Sequence, residues 1–220
     1  MDTASKDVLF TIAMNLELPD LLKWCSSSSK INRDICNNDN VWRSKLLTDY
    51  PDYRKFNLNR SLRETYVFLY QLSYIKKLLK TDESVYDIFL KKKLILSDRG
   101  LTKVPAFDLP NLEILDLSGN RLKAVPMFNL PNLKALYLFD NELTEAPNFQ
   151  LPNLEELNLH NNRLIKVPPF SLPKLQYLYL YNNRLTEIPK FTLPNLREVY
   201  LYGNKLSLKV RAEFPLGSVI

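Results

Sequence analysis

From Leu109 onward, hydrophobic and polar positions alternate in a fixed phase. Leucines stand at Leu109, Leu112, Leu115, Leu117 and Leu122 with mostly polar residues between them, and the pattern returns every 21 residues. Full units begin at Leu109, Leu130, Leu151 and Leu172, and a truncated one begins at Leu193. Twenty-one residues before the first unit, Leu94, Leu96, Leu101 and Pro105 fill the same slots, so a partial unit precedes it. The shared pattern is L-P-N-L-x-x-L-x-L-x-x-N-x-L-x-x-[V/I/A]-P-x-F-x. Its L-x-L core predicts a short strand with leucines inward and the intervening residue outward. Stacked coils then set these strands side by side in a parallel sheet, ~4.8 Å apart.

The other recurring slots read as scaffold. Asn120, Asn141, Asn162, Asn183 and Asn204 place a donor and an acceptor where the chain turns after each strand, so they can satisfy backbone groups of neighbouring coils. Phe107, Phe128, Phe149, Phe170 and Phe191 can stack as a spine. Two proline columns account for 10 of the 14 prolines and leave little room for a helix on the convex side, where extended backbone is expected instead.

Before residue 90 the period is helical and nothing repeats. Val8, Leu9, Ile12 and Leu16 share one helical face, and Pro19-Asp20-Leu21-Leu22 opens a second helix near Asp20. Ile31, Ile35, Val41, Trp42 and Leu46 form a third apolar set. Ser61-Leu62-Arg63-Glu64 is a capping box that starts a helix with Leu62, Tyr66, Leu69 and Leu72 on one stripe and Tyr70, Tyr74 and Leu78 beside it. Thr81 with Asp82-Glu83 begins a shorter helix ending near Leu90, where Lys91-Lys92-Lys93 suits the dipole. The fold class is therefore α+β. Residues 1–50 form a small helical domain, and residues 51–90 a helical linker and N-terminal cap for the coils. Residues 91–213 are the 21-residue coils, and residues 214–220 a C-terminal tail. No flexible linker is evident, so a rigid junction is expected.

Function is expected at the outward strand positions, which the fold leaves free. Coil by coil these are Lys93, Ile95, Ser97; Ile114, Asp116, Ser118; Ala135, Tyr137, Phe139; Glu156, Asn158, His160; Tyr177, Tyr179, Tyr181; and Glu198, Tyr200, Tyr202. Seven of them are aromatic, the residue type that interfaces use as anchors. The candidate target-binding set is Asp116, Tyr137, Phe139, Asn158, His160, Tyr177, Tyr179, Tyr181, Tyr200 and Tyr202. The alternative is that the tyrosines only pack on one another across strands.

Composition narrows the chemistry. The chain has 220 residues with 4 glycines, 2 cysteines and one histidine, His160. The glycines are too scattered for a phosphate-binding loop. One histidine and two cysteines cannot complete a four-ligand zinc site. His160 has no nearby serine or cysteine in its column and reads as an interface residue rather than a base. No catalysis, metal or cofactor is expected. The formal charge of +6 sits mainly in residues 91–220, with 17 basic and 12 acidic groups against 13 and 12 in residues 1–90. Asp116, Asp140, Glu156 and Glu198 offset the lysines on the concave side, so a nucleic-acid partner is not expected. There is no long apolar run and no basic leader before Val8, so a membrane partner and secretion are not expected either. Cys25 and Cys36 are accordingly read as reduced thiols of a cytoplasmic or nuclear protein.

Two resemblances follow from these residues. The LxxLxLxxN core and its period resemble the leucine-rich repeat, which implies a protein-binding solenoid. Residues 4–48 resemble the F-box: Asp7 stands at its acidic position, Val8-Leu9 at IL, Ile12 at I, Leu16 at L, Asp20-Leu21 at DL and Val41-Trp42 at LW. The family's opening Leu-Pro is Ala4-Ser5 here, and its middle stretch falls on Ser28 to Asn32 within a polar run. The resemblance implies docking on the adaptor subunit of a cullin–RING ubiquitin ligase, through Val8, Leu9, Ile12, Leu16, Leu21, Leu22, Val41 and Trp42. The whole then reads as a substrate receptor that brings a target protein on the concave face to the ligase. The Asn-rich wording and Pro-rich coils look like F-box and leucine-rich repeat proteins of giant DNA viruses, which implies residence in a host cell. The alternative is a leucine-rich repeat scaffold with a helical cap and no ubiquitin role.

Overall fold

Short polar side chains set where each helix begins. Ser5 caps α1 (Lys6–Asn15) by accepting from the Val8 amide, Ser28 caps α3 (Ser29–Ile31) and Asn38 caps α4 (Asp39–Asp49). The capping box at Ser61 and Glu64 is complete and starts α5 (Leu62–Leu79), which ends on Lys80 at φ 52°. α2 (Leu18–Cys25) opens at Leu18 rather than near Asp20, because Pro19 has the fixed φ of a first helical turn. α6 (Val85–Phe89) also starts later than Thr81. Ser84 and Asp87 exchange hydrogen bonds there as a second capping box. The computed structural model describes residues 5–207, so the tail at 214–220 and the end of the last coil lie outside the described residues. The chain divides into two units, Met1–Ile88 and Phe89–Ile220.

In the first unit the core is Leu9, Ala13, Leu21, Ile31, Ile35, Val41, Trp42 and Leu46, joined by Tyr66, Leu69 and Leu72 of α5. A π turn over Asn32–Cys36 lets Trp42 Nε1 donate to the Cys36 carbonyl at 2.8 Å. Lys45 is buried, a position the apolar periodicity could not reveal. Its ammonium donates to the Met14 and Leu16 carbonyls at the end of α1, where the helix dipole favours a cation. It also lies 3.5 Å from Asp49, which accepts from the Tyr66 hydroxyl. Burial, with Asp49 beside it, pushes the Tyr66 phenol up.

The expected free thiols are a disulfide. Cys25 ends α2 and Cys36 ends the π turn, and the fold of the intervening turn brings their Cα atoms to 5.9 Å, within bonding reach. A spacing of 11 residues carries no hint of that approach without the turn. Closing so short a loop removes unfolded-state entropy worth about 3 kcal/mol. Reduction, or the Cys25→Ser/Cys36→Ser variant, is expected to lower the stability of the first unit by about that amount. Urea melts with and without reductant check it, and coincident melts would reject the bridge.

In the second unit six three-residue strands form one parallel sheet in chain order: β1 (Lys93–Ile95), β2 (Ile114–Asp116), β3 (Ala135–Tyr137), β4 (Glu156–Asn158), β5 (Tyr177–Tyr179) and β6 (Glu198–Tyr200). Every pair is in register at an offset of 21, from Lys93 against Ile114 to Tyr179 against Tyr200. The middle leucine of each strand is buried, with Val199 in its place on β6. Asn120, Asn141, Asn162 and Asn183 are also buried. The amide of each donates to a leucine carbonyl of its own coil and to one of the preceding coil, and its oxygen accepts a leucine N–H of the preceding coil, all at 2.9–3.2 Å. The residue before each asparagine of the ladder, Gly119, Asp140, Asn161, Asn182 and Gly203, has positive φ, as does Asp98 at the same position of the first coil. Aspartate and asparagine tolerate that region best among residues with a Cβ, which is why few glycines suffice. The phenylalanine spine stacks at centroid distances of 5.6–6.5 Å. Among the described residues no helix lies on the return path of the coils, and parallel bridges join Glu145 to Lys166 and Ser171 to Thr192. The asparagine of the L-P-N-L wording has a job the pattern did not suggest. Asn132, Asn153 and Asn195 each donate to a proline carbonyl of the preceding coil at 2.6–2.8 Å.

Candidate protein-binding face

Because buried leucines alternate with outward residues along each strand, the outward residues fall into columns running across the sheet. One column is a continuous ring stack. Phe139 lies on His160 at 4.6 Å, His160 on Tyr181 at 4.3 Å, and Tyr181 on Tyr202 at 4.5 Å, with planes within 14° of parallel. In the next column Tyr179 stacks on Tyr200 at 4.9 Å, while Asn158 separates that pair from Tyr137. Tyr137 turns its ring against Phe139 in an edge contact at 6.4 Å. In the third column Tyr177 stands in register between Glu156 and Glu198. The structure thus brings the ten target-binding candidates together on one sheet face, and several of their rings pack on one another across strands. Tyr181 has a ring on each face, while Tyr179, Tyr200 and Tyr202 each have one face covered by a neighbouring ring.

Two of the outward expectations need correction. Ser118 and Ala135 are buried, with 4% and 8% of their surface exposed. Ser118 is held by Asp116, whose carboxylate accepts from both its amide and its hydroxyl at 2.9 and 2.6 Å. Ala135 is too short to reach past its neighbours.

The phenols of Tyr137, Tyr179, Tyr181 and Tyr200 remain protonated donors at neutral pH. Burial and the nearby Glu156 push Tyr137 up to about 12, and its hydroxyl donates to Glu156 at 3.2 Å. A hydrogen bond to Glu198 does the same for Tyr200, also to about 12. Burial raises Tyr179 and Tyr181. His160 moves the other way. Desolvation between two rings lowers its pKa, against a weaker pull upward from Asp140. Its Nδ1 faces the Asn158 carbonyl oxygen, which can only accept, so the ring proton sits on Nδ1 and Nε2 is left as an acceptor. The folded state therefore prefers neutral His160, while the unfolded chain takes up a proton below about pH 6.5. Stability contributed by this stack is present above that pH and is lost as pH falls through the lower folded value. Urea midpoints at pH 7 and pH 5 are expected to differ more for the wild type than for His160→Phe, which keeps a ring in the stack. Equal differences would reject this role.

The adaptor-binding candidates divide by burial. Leu9, Leu21, Val41 and Trp42 are core residues with at most 1% exposed, so their side chains hold the helices together and do not face a partner. Leu16 and Leu22 are half-buried. Val8 and Ile12 are exposed at 51% and 38%, and Leu47 of α4, which the periodicity did not single out, at 49%. The same unit holds a cleft of about 360 Å³ beside Lys45, Asp49, Tyr50 and Tyr66. Among the described residues no helix is long and apolar enough to cross a membrane.

Comparison with known proteins adds to this geometry. Residues 131–172 and 173–210 match the family model described as leucine rich repeats in two copies, and residues 92–143 match a further leucine rich repeat model. Among solved structures, a leucine-rich repeat protein of Leptospira interrogans is 36% identical over 50% of this chain and 31% of its own, with a TM-score of 0.46. YopM of Yersinia enterocolitica is 26% identical over 62% of this chain and 36% of its own, with a TM-score of 0.45. The chain thus spans about a third of the length of either protein. No curated protein matches it.

Proposed function

We propose that this chain, whose residues 92–210 belong to the leucine-rich repeat family, is a protein-interaction adaptor that holds a target protein on the outward face of its sheet. The observation that carries this reading is the gathering of seven aromatic side chains on one face, several of them stacked in columns across the strands. At the finer level the chain is a substrate receptor, with the F-box-like helices docking on the adaptor subunit of a cullin–RING ligase. The residue match over 4–48 supports this, together with exposed Val8 and Ile12 on α1. Its mechanism is proximity, since binding both partners raises the target's effective concentration at the ligase. The Cys25–Cys36 disulfide favours a second reading, a scaffold working where disulfides persist and without a ubiquitin role.

A pull-down with two arms separates these readings. Wild type is expected to retain the ligase adaptor, and Val8→Asp/Ile12→Asp, which changes only exposed positions, is expected to release it. Failure of wild type to retain the adaptor rejects the ligase role and leaves the scaffold. In the other arm, Tyr179→Ala/Tyr181→Ala is expected to weaken target capture by about 30-fold or more, the effect of losing interface anchors. Its melting temperature is expected to stay within a few degrees, and undiminished capture would reject the face.

A further inference from the structure

The chain is basic overall, yet the face it offers is not. From Ile114 to Gly203 the four outward columns of the sheet contain Asp116, Asp140, Glu156 and Glu198, and neither lysine nor arginine. The flanking columns do contain cations. At the start of the strands Lys92 and Lys134 are both held by Glu113, at 3.0 and 2.8 Å. Arg197 and Gln176 complete that edge beside Glu155. On the far flank Arg163 pairs with Glu142 at 3.2 Å, while Arg121, Arg184 and Lys205 stand exposed. A local excess of carboxylates on a chain of net charge +6 is a complementarity signal, because the rest of the surface repels the partner that this strip attracts.

The stacks sharpen this. Where rings stack, as for Tyr179, Tyr181, Tyr200 and Tyr202, the covered faces are closed to a partner. The tyrosines offer phenol oxygens, which accept as well as donate. Glu156 and Glu198 already accept from Tyr137 and Tyr200, and a carboxylate has about four acceptor sites, so each has capacity for a second donor. Carboxylates ringed by phenol oxygens suit a guanidinium or ammonium, which is donor-rich and cationic.

Spacing adds a register. Glu156 and Glu198 occupy the same column two coils apart, with Tyr177 between them. At ~4.8 Å per strand they are about 10 Å apart. A chain in the polyproline II conformation repeats its facing side chain every third residue, at about 3.1 Å per residue, which gives nearly the same distance. An ordinary β-strand does not, since its residues three apart point to opposite sides.

We propose that the outward face binds an extended basic segment of a partner protein, with two arginine or lysine side chains three residues apart seated on Glu156 and Glu198 among the tyrosine hydroxyls. This rests on the reading of the sheet face as the binding surface and assigns the chemistry of what it takes.

The test uses the full chain and fluorescein-labelled proline-rich peptides, titrated by anisotropy. One peptide has arginine at every third position, a second has glutamine in place of each arginine, and a third has the same arginines at adjacent positions. The arginine-every-third peptide is expected to bind at least tenfold more tightly than either of the others, and more weakly as salt rises. Glu156→Gln/Glu198→Gln is expected to lose about tenfold, and Tyr179→Ala/Tyr181→Ala to abolish binding. If the glutamine peptide binds equally and the tyrosine variant abolishes it, the face stands as a binding surface and the cationic partner is overturned. Equal binding of the two arginine peptides overturns the three-residue register. If the arginine peptide binds every variant alike, it binds elsewhere, and both the segment and its site are rejected. Failure of all peptides up to about 1 mM, the weak end of useful affinity, overturns the basic segment, and the capture arm with Tyr179→Ala/Tyr181→Ala then decides the face separately.

Discussion

Replacing Asn162 by alanine is expected to destabilise the second unit by about 3–5 kcal/mol, read as a shift of the urea midpoint of the coil transition. One side chain here joins two coils. Its amide donates to the Leu138 carbonyl of the preceding coil and to the Leu159 and His160 carbonyls of its own, at 2.9–3.2 Å. Its oxygen accepts the Leu143 N–H at 3.0 Å. The residue is only 8% exposed, so water cannot replace these bonds without entering the coil. Each buried group left without a partner costs about 1–3 kcal/mol, and several are stranded together, partly offset by relaxation. The neighbouring Asn161 is the control. It is exposed, sits at φ 51° and bonds to Asp140, so Asn161→Gly keeps the backbone conformation and is expected to change stability by less than about 1 kcal/mol. Equal losses from the two substitutions would show that the turn rather than the ladder holds the coils together.

The contrast between those two adjacent asparagines marks how far the sequence was legible. A 21-residue phase carries Asn162 and its equivalents into one column, and strand pairing at the same offset makes the register a direct consequence of the repeat. The inward leucines, the phenylalanine spine, the helix-free return path and the aromatic face were therefore readable from phase alone. How the rings on that face meet one another was not, since the same columns serve stacked rings or splayed ones. The first unit has no repeat to average over. Its start signals were legible where a capping box stood in the clear, as at Ser61, but Thr81 obscured the better box at Ser84. On α1 the apolar residues cover more than one side, and burial fell on Leu9 and Ala13 while Val8 and Ile12 were left outside. Packing partners decide such a choice, and they lie on the π turn and α4, elements well separated from α1 along the chain. The disulfide and buried Lys45 belong to the same class, being contacts between elements with no local pattern to announce them.

Trp42→Ala is expected to cost the first unit about 3–5 kcal/mol, as large aromatic deletions from a filled core do. The indole is 1% exposed, packs at 5.7 Å from the Tyr66 ring and lies under the Arg63 guanidinium. Its N–H is the donor that satisfies the Cys36 carbonyl, so truncation leaves both a cavity and an unpaired acceptor beside the disulfide. The consequence for function is specific. Trp42 stands where the F-box resemblance places an adaptor-binding residue, and its loss is expected to abolish adaptor capture. Hydrogen exchange tells why. If Trp42 acts through the core, α4 and α5 lose protection together while the amides of β3, β4 and β5 keep theirs. Val8→Asp/Ile12→Asp is expected to do the reverse, losing capture with protection of α4 and α5 intact, because those side chains face solvent. Lost capture with full protection in Trp42→Ala would instead place the indole at the partner's surface. That outcome would require the helices to open around it, since the packed arrangement leaves it no route to contact.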